Sequence, residues 1–431
     1  MSATRKQEEK NLEIVLISHW FGHTPFFMAC VVPIFLEKGC TVYHLTDKPE
    51  EADLFFQESL GCQESRLHHL GIEEVDESHT EGIKDQRLAE VIRHWKGVGL
   101  SLRALFARLG REVGIFHTWV DLFSHPLLRR EVIEDGMPAP WTGLYVHPAQ
   151  FRITKSRKRQ LLETFQGLIK HGRWRPSTIK AFNSRFARKI YFYDELIINP
   201  VRSSFRKTTR LGAFPDPVKQ VDSINRDSLP ELKEFRARNP LILSLSGFLS
   251  KRKGLLTLIR LASRHQGPWA FLFAGGVEWD SFSEAETREI KQFMEHPPKN
   301  TLFLGRKLDD AEFKSVLENS DLVYVAYENF FHSSIVQILA ALLGKPILAG
   351  PRHLISERTR NYDLGWCLPE LTGEAVESLL KTLDAESLIL KKRSARFQEF
   401  TEQHSELVLK QRIDEILNLF QEPLPICHPL Q

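Results

Sequence analysis

The feature that most constrains the fold of this 431-residue chain is an alternation of short apolar runs with amphipathic helical stretches. In the first half, the apolar runs are bounded by charged residues, glycine or proline, which is typical of buried strands. Strands that alternate with helices indicate βαβ units and a parallel sheet. We predict strands at 12–18, 40–46, 113–120, 143–147 and 189–193, and helices at 26–38 and 80–111.

The same alternation restarts after residues 199–218, which contain three prolines and no periodic run and are therefore predicted to be a linker. Further strands are predicted at 241–247, 269–275, 301–305, 321–327 and 345–350, with helices at about 253–264, 282–295, 309–319 and 333–343 and a largely helical stretch at 374–421. The predicted fold is α/β, with two Rossmann-like, doubly wound parallel-sheet domains (residues 1–198 and 219–400) that face a cleft. Residues 401–431 are predicted to be a C-terminal helix and tail that can pack back on the N-terminal domain.

Composition excludes several classes of protein. No apolar run approaches the roughly 18–20 residues that span a bilayer, and the charged N-terminus is unlike a secretory signal. The five cysteines are odd in number and form no C-x-x-C pair. This pattern predicts reduced thiols in a cytoplasmic protein, without a zinc site or a disulfide framework.

Positive charge is concentrated in residues 152–189, which contain twelve lysines and arginines and one acid, although the net charge is only +3. Aromatic and aliphatic side chains lie between the cations. Such a surface suits an anionic membrane, a phosphorylated acceptor or an acidic glycan, and peripheral membrane contact is one expectation. The alternative is a solvated helical face. No nucleic-acid motif accompanies the segment, so we expect no nucleic-acid partner.

The strongest candidate for a binding motif is the sequence SGFLSKRKG at 246–254, which leaves a predicted strand and opens a predicted helix. Gly247 allows close approach of a ligand to the backbone. Lys251, Arg252 and Lys253 add positive charge where a helix N-terminus already presents free N–H groups. This combination predicts a pyrophosphate site, and the alternative is a basic surface turn.

A second candidate is the loop between the strand at 321–327 and the helix at 333–343. Ser333 is a natural N-cap, and the N–H groups that follow Ser334 and Ile335 are free to hold phosphate oxygens or sugar hydroxyls. His332 could donate a hydrogen bond to phosphate. The alternative is ordinary capping beside a packed histidine.

Glycine turns after two further strands complete the candidate nucleotide site. Gly275 and Gly276 follow WAFLFA, and Gly305 and Arg306 follow TLFL, so backbone can lie beside a base there. The carboxylate of Glu357 could accept hydrogen bonds from ribose hydroxyls. Each of these signals is weak alone, and their order along the chain gives them weight.

The N-terminal half offers candidates for acid–base chemistry. His117 ends a predicted strand, as does His147, and His23 lies in the first strand–helix loop. Asp121, four residues after His117, could orient it or act as a base. A structural role for each histidine is the alternative.

The order of these motifs resembles that of GT-B glycosyltransferases, specifically the family 4, group 1 type. The matching motifs, within about residues 240–370, are SGFLSKRKG, FLFAGG, LFLGR, FHSSIVQILAALLGKPIL, ISE and LGWCLP. The N-terminal half matches only in its alternation of predicted strands and helices and in the sequence PDP of the linker. The family's E-x7-E glutamates would fall at Phe331 and Leu339, so the chain resembles a variant that lacks both.

Position by position, the resemblance implies that Arg252 and Lys253 bind the donor diphosphate. Ser333, Ser334 and Ile335 correspond to the loop that holds the sugar phosphate.

For the remaining positions, the resemblance implies that Gly305 and Arg306 lie beside the nucleobase and that Glu357 binds ribose. His117 is similar to a histidine that contacts the donor sugar or the acceptor.

The function predicted from these features is sugar transfer from a nucleotide diphosphate-sugar to a glycan or lipid-linked acceptor, as in polysaccharide biosynthesis. The resemblance implies retention of anomeric configuration. The lack of a D-x-D motif predicts no divalent metal, and we expect no other cofactor. Two alternatives stay open, a sugar-nucleotide epimerase of similar architecture and a non-catalytic scaffold protein. An epimerase needs cleft carboxylates, and the missing glutamates weigh against it.

Overall fold

The computed structural model describes residues 12–22, 24–60, 64–125, 127–146, 182–205, 209–218 and 229–422. Contacts divide the chain into two compact units. Unit 1 contains the described residues up to Pro217 together with those from Glu406 onward. Unit 2 is Val218–Ser405, so the chain leaves unit 1 once and returns to it.

Unit 1 is built on a parallel sheet of seven described strands in the order β3-β2-β1-β4-β5-β6-β7. The strands are β1 (Leu12–Ser18), β2 (Cys40–Thr46), β3 (Leu67–Gly71), β4 (Gly114–His117), β5 (Trp141–Tyr145), β6 (Ala187–Phe192) and β7 (Arg210–Ala213). The described helices before unit 2 are α1 (Thr24–Glu37), α2 (Pro49–Leu60), α3 (Gln86–Leu109), α4 (Arg130–Gly136) and α5 (Ile198–Val201). β2 is buried along its whole length, because helices cover both faces of the sheet.

The two edge strands of unit 1 were not predicted from the sequence. β3 has the sequence LHHLG and is only half-buried, so no apolar run marks it. β7 lies inside the segment predicted to be a linker, where its RLGA sequence pairs in parallel with β6. The predicted strands at 12–18 and 40–46 are confirmed residue for residue.

The final described helix, α15 (Glu406–Gln421), packs on unit 1 although it follows unit 2 in sequence. Its buried residues Leu409 and Ile413 join the core cluster that contains α1. Glu415 forms an ion pair with Lys189 of β6 and accepts a 3.1 Å hydrogen bond from the Tyr191 hydroxyl.

Unit 2 contains a second parallel sheet, with six described strands in the order β10-β9-β8-β11-β12-β13. The strands are β8 (Leu241–Ser246), β9 (Trp269–Ala274), β10 (Thr301–Leu304), β11 (Leu322–Val325), β12 (Ile347–Ala349) and β13 (Gly365–Cys367). The helices are α6 (Pro230–Arg238), α7 (Leu255–Arg264), α8 (Glu284–Glu295), α9 (Asp310–Glu318), α10 (Ile335–Leu342), α11 (His353–Asn361), α12 (Gly373–Thr382), α13 (Ala385–Ser394) and α14 (Phe397–Glu402).

The strand order reverses direction between β1 and β4 in unit 1 and between β8 and β11 in unit 2. Two doubly wound parallel sheets are therefore confirmed. In such sheets, ligands bind beyond the carboxyl ends of the strands at the reversal point. The loops after β1, β4, β8 and β11 are thus the first places to look for a site.

None of the described helices is both long and apolar enough to cross a membrane. Of the basic segment, residues 152–181 lie outside the described part of the chain.

Candidate functional site

The loop after β8 turns sharply at Gly247, whose φ of +83° lies in the left-handed region. Its N–H donates to the Ala274 carbonyl at 3.0 Å, and the Leu249 N–H donates to the Gly276 carbonyl at 2.8 Å. A Cβ at position 247 would lie 2.9 Å from the ammonium nitrogen of Lys253. Glycine is therefore needed here both for the turn and to leave room for that ammonium group.

Lys253 is a buried cation without a carboxylate partner. Its side chain ends above the ring of Tyr327, 5.3 Å from the centroid, and its Nζ donates to the Ser246 carbonyl at 3.2 Å. Among the described residues, no carboxylate oxygen lies within 4 Å of this nitrogen, and Lys253 is only 9% exposed. Burial, with the nearby charge of Arg252, lowers its pKa to about 8. An isolated buried charge is unfavourable, so an anion bound here would relieve that cost.

The loop after β11 lies against this lysine turn. The Glu328 N–H donates to the Arg252 carbonyl at 2.7 Å, and the Arg252 guanidinium lies 4.8 Å from the centroid of Phe330. Lys251, by contrast, extends to Glu286 at 2.6 Å. The structure thus leaves Arg252 and Lys253 beside the β11 loop and ties the neighbouring lysine to another helix.

The helix α10 begins directly after this loop. Ser334 is its N-cap residue, is buried, and makes no side-chain capping bond, so the first N–H groups of α10 have no intrahelical acceptor. Burial raises the pKa of Tyr327 to about 12, against the opposing effect of Ser334 and Arg252. The Tyr327 hydroxyl therefore stays neutral. The ring of His332 packs edge-on against Phe330, with centroids 5.3 Å apart.

Ser333 was expected to cap the helix α10, but the N-cap residue is Ser334 and Ser333 contacts an arginine instead. Its hydroxyl accepts a 2.6 Å hydrogen bond from the guanidinium of Arg358, which is buried on α11. Glu357 precedes this arginine on the same helix. Arg358 was not singled out from the sequence, because nothing in its helix distinguishes it from the exposed arginines nearby.

The two glycine turns occupy the neighbouring strand ends. Gly275 has a φ of +139°, and a Cβ there would lie 2.0 Å from the Gly247 carbonyl oxygen. At Gly276 the nearest atom would be 3.9 Å away, the backbone nitrogen of Lys307. The turns after β8, β9 and β10 therefore lie side by side at the carboxyl edge of the sheet.

Arg306, predicted to lie beside a nucleobase, forms an ion pair with Glu312. Its two terminal nitrogens donate to the two oxygens of Glu312 at 2.7 and 2.6 Å. Gly305 is tightly packed, since a Cβ there would lie 2.7 Å from the Met294 methyl group. Any contact of Arg306 with a base would have to compete with this ion pair or use the backbone.

In unit 1, His117 ends β4 and is fully buried. Its Nδ1 accepts from the Trp119 N–H at 3.2 Å, and its Nε2 has no hydrogen-bond partner in the described part of the chain. Burial and the neighbouring His19 lower its pKa far below the usual range. Asp121 accepts from the Val146 N–H at 2.7 Å, which fixes the chain after β5. His23, like His147, lies outside the described residues.

Three residues near His117 were not singled out from the sequence. His19 follows β1 directly, Asp47 follows β2, and His94 lies on α3. The rings of His19 and His94 are 4.8 Å apart. The position of His19 at the end of the first strand was an available signal, whereas nothing in the pattern of α3 marks His94. No group of three or more histidine, cysteine or acidic side chains is placed to hold a metal ion in the described ranges.

Comparison with known proteins supports the fold. No protein-family profile and no curated protein sequence matches the chain. A solved structure of HepE from Anabaena, in complex with UDP and glucose, matches with a TM-score of 0.61 at 12% identity, over 95% of this chain and all of that one. WaaG, a glycosyltransferase involved in lipopolysaccharide biosynthesis, matches with a TM-score of 0.55 at 13% identity, over 94% and 99% of the two chains. A candidate UDP-N-acetylglucosamine 2-epimerase from Listeria monocytogenes matches with a TM-score of 0.55 at 13% identity, over 97% and 100%.

At this level of identity the comparisons establish architecture alone. Two parallel-sheet units, each with a reversal of strand order, and matches over nearly the full length of these proteins identify the fold of the chain as GT-B.

Proposed function

We propose that the chain is a glycosyltransferase that moves a sugar from a nucleotide diphosphate-sugar to a glycan or lipid-linked acceptor. The observation that carries the proposal is Lys253, a buried cation with no carboxylate within 4 Å in the described part of unit 2. It lies over the ring of Tyr327, whose hydroxyl interacts with Ser334, the N-cap residue of α10. HepE, which shares the fold, was crystallised with UDP and glucose and with UDP-glucose.

In the proposed reaction, negative charge develops on the leaving diphosphate as the bond to the sugar breaks. Lys253, Arg252 and the first N–H groups of α10, from Ile335 onward, would offset that charge. These groups are fixed before the reaction, so no reorganisation is needed when the charge appears. Ser334 would place its hydroxyl beside the same phosphate, and His332, which packs edge-on against Phe330, would donate a hydrogen bond to it.

The rest of the proposed donor site follows the strand ends of unit 2. Gly247, Gly275 and Gly276 would let the nucleotide approach the backbone, and Gly305 would lie beside the base. Ser333, Arg306 and Glu357 remain predicted contacts. Metal independence is part of this proposal, since protein cations supply the charge.

The acceptor would bind to unit 1 near His117, Asp121 and His23. Residues 152–189 are proposed to bring a lipid-linked acceptor or an anionic membrane surface to this unit. Retention, which the family resemblance implies, needs no protein base, because the leaving phosphate can take the acceptor proton. Inversion by direct displacement does need one, so the configuration of the product distinguishes the two reactions.

A ligand panel followed by an activity assay tests the proposal. In a thermal-shift panel of nucleoside diphosphates and nucleotide sugars, a ligand at about 100 times its Kd should add roughly 2.7 kcal/mol of stability. The best nucleotide sugar is then incubated with and without candidate acceptors. A transferase releases nucleoside diphosphate when acceptor is present, an epimerase isomerises the donor alone, and a scaffold does neither. Either of the last two results would contradict the proposal.

The pKa of Lys253 predicts how binding depends on pH. A group with a pKa of about 8 is mostly protonated at pH 7 and mostly neutral at pH 9. Because the diphosphate binds the protonated form, UDP affinity should fall about tenfold between pH 7 and pH 9. Isothermal titration at the two pH values measures the change. Equal affinities would show that Lys253 does not bind the phosphate.

A further inference from the structure

The loop between β11 and α10 (residues 326–334, the β11 loop) is held by side chains of the helix α11. In the middle of the loop, the ring of Phe331 lies 4.3 Å from that of His353, the first residue of α11. At the end of the loop, the Ser333 hydroxyl accepts a 2.6 Å hydrogen bond from the guanidinium of Arg358, further along the same helix. A single helix therefore fixes the β11 loop at two points.

The first turn of α10 is joined to α11 by a buried amide group. The side-chain nitrogen of Gln337 donates to the Ile355 carbonyl at 2.8 Å and to the Thr359 hydroxyl at 3.1 Å. Gln337 is fully buried, so these two bonds are made away from water. The N–H groups at the start of α10, which have no intrahelical acceptor, are therefore held at a set position relative to α11.

Two residues of this assembly have a backbone conformation that is uncommon for residues other than glycine. Asn329 in the β11 loop has a φ of +48°, and His353 at the start of α11 has a φ of +73°. Such conformations cost free energy and persist only where the surrounding contacts maintain them. Strain both in the loop and in the helix that holds it indicates that the contacts serve to place the loop, and not only to stabilise the fold.

Arg358 is a charged side chain inside the core of unit 2. It is only 1% exposed, so it does not itself reach a ligand bound at the strand ends. Its guanidinium lies 5.7 Å from the centroid of the Phe400 ring on α14, and burial, together with the charge of Arg358, lowers the pKa of His404 far below the usual range. Burying a cation is costly, and a hydrophobic side chain of similar volume often costs less. An apolar side chain, however, could not donate to Ser333.

We propose that Arg358 is a positioning residue for the donor diphosphate. By holding Ser333, it fixes the β11 loop so that the first N–H groups of α10 face the distal phosphate, which carries the sugar. This inference rests on the proposed function and adds to it a residue that acts without touching the donor. Because the loop is in place before the nucleotide binds, no binding free energy is spent on ordering it. The gain is confined to the distal phosphate, since the rest of the nucleotide lies on other strand ends.

The affinities for UDP and UMP distinguish positioning from a general structural role. Arg358→Met keeps much of the side-chain volume but cannot donate to Ser333. We expect the Kd for UDP to rise about tenfold or more, and the Kd for UMP, which lacks the distal phosphate, to rise less than about threefold. Isothermal titration at pH 7 measures both constants. A general disruption of unit 2 would weaken both ligands alike, and that result, like an unchanged affinity for UDP, would contradict the proposal.

A double-mutant cycle tests whether Arg358 acts through Ser333. Ser333→Ala removes the acceptor of the same hydrogen bond and should also weaken UDP about tenfold. The double variant should lose no more affinity than the weaker of the two single variants, because one hydrogen bond is removed in each case. Losses that multiply would show that the two residues act independently and would overturn the proposal. Arg358→Lys should bind UDP better than Arg358→Met, because its ammonium group can still donate one bond, and it enters the cycle if the methionine variant does not fold.

Arg360→Met is the matched control, two residues further along α11. Arg360 is exposed, and its guanidinium donates to the Pro351 carbonyl at 2.6 Å. The affinity of this variant for UDP should stay within about twofold of that of the unaltered protein. If the unaltered protein binds neither UDP nor any other nucleoside diphosphate, the proposed function and this inference are both overturned. If it binds UDP, and the variants at Arg358 and Ser333 bind it equally well, this inference alone is overturned.

Discussion

Replacing Lys253 by methionine is expected to weaken UDP binding by roughly a hundredfold, which corresponds to about 3 kcal/mol. The substitution keeps most of the side-chain volume but removes the buried charge that would face the diphosphate. Isothermal titration with UDP at pH 7 measures the effect. A loss of less than about threefold would remove the main support for a donor site at this position.

The same variant should not destabilise the protein. Because burial lowers the pKa of Lys253 relative to the unfolded chain, the charged lysine costs stability below pH 8, and this cost disappears as the pH rises. Lys253→Met should therefore raise the free energy of unfolding by about 1–3 kcal/mol at pH 7 and by less at pH 9. Lys251→Met is the matched control for binding, since Lys251 is half exposed and paired with Glu286. It should bind UDP within about twofold of the unaltered protein.

Replacing Gly275 by alanine is expected to destabilise unit 2 by about 3 kcal/mol or more and to abolish UDP binding. The backbone at this position has a φ of +139°, which alanine rarely adopts, and the new Cβ would lie 2.0 Å from the Gly247 carbonyl oxygen. The β8 turn would have to move, and with it the room that Gly247 leaves for Lys253. Urea unfolding and UDP titration measure the two effects.

Gly276→Ala is the control, one residue away. Position 276 lacks the positive φ, and the nearest atom to a new Cβ would be 3.9 Å away. Gly276→Ala should change the free energy of unfolding by no more than about 1 kcal/mol. If the two alanine variants were equally stable, steric contact between the β8 and β9 turns would not be what requires glycine at 275.

The strands that could be predicted are those whose own residues form an apolar run. WAFLFA is a continuous apolar run, and LILSLS is apolar except for its two serines, because β9 and β8 are covered on both faces. Burial of this kind is visible in the sequence. The edge strands β3 and β7 are partly exposed and contain polar residues and glycine. They therefore lack the apolar run by which the other strands were predicted. The helix predicted from 253 begins at Leu255, because Gly254 adopts a positive φ and ends a short 3₁₀ turn.

The candidate site was predictable only in its local parts. Gly247, Lys253 and Ser334 each stand in a recognisable turn or cap, so sequence position was enough to single them out. Contacts between distant segments could not be predicted in this way. The guanidinium of Arg358 donates to Ser333 across 25 positions, and Asp47 lies beside His19 because β1 and β2 are neighbours in the sheet. Such partners depend on the order of strands, which no local pattern encodes.

Because α15 packs on unit 1 but follows unit 2 in sequence, the two units cannot complete their folding in the order in which they are translated. Unit 2 is one continuous stretch and can close its core while translation is still under way. Unit 1 must wait, because Leu409 and Ile413 complete its apolar interior and Glu415 neutralises Lys189 on β6 only after α15 has been synthesised. The half of the molecule that is made first is therefore finished last.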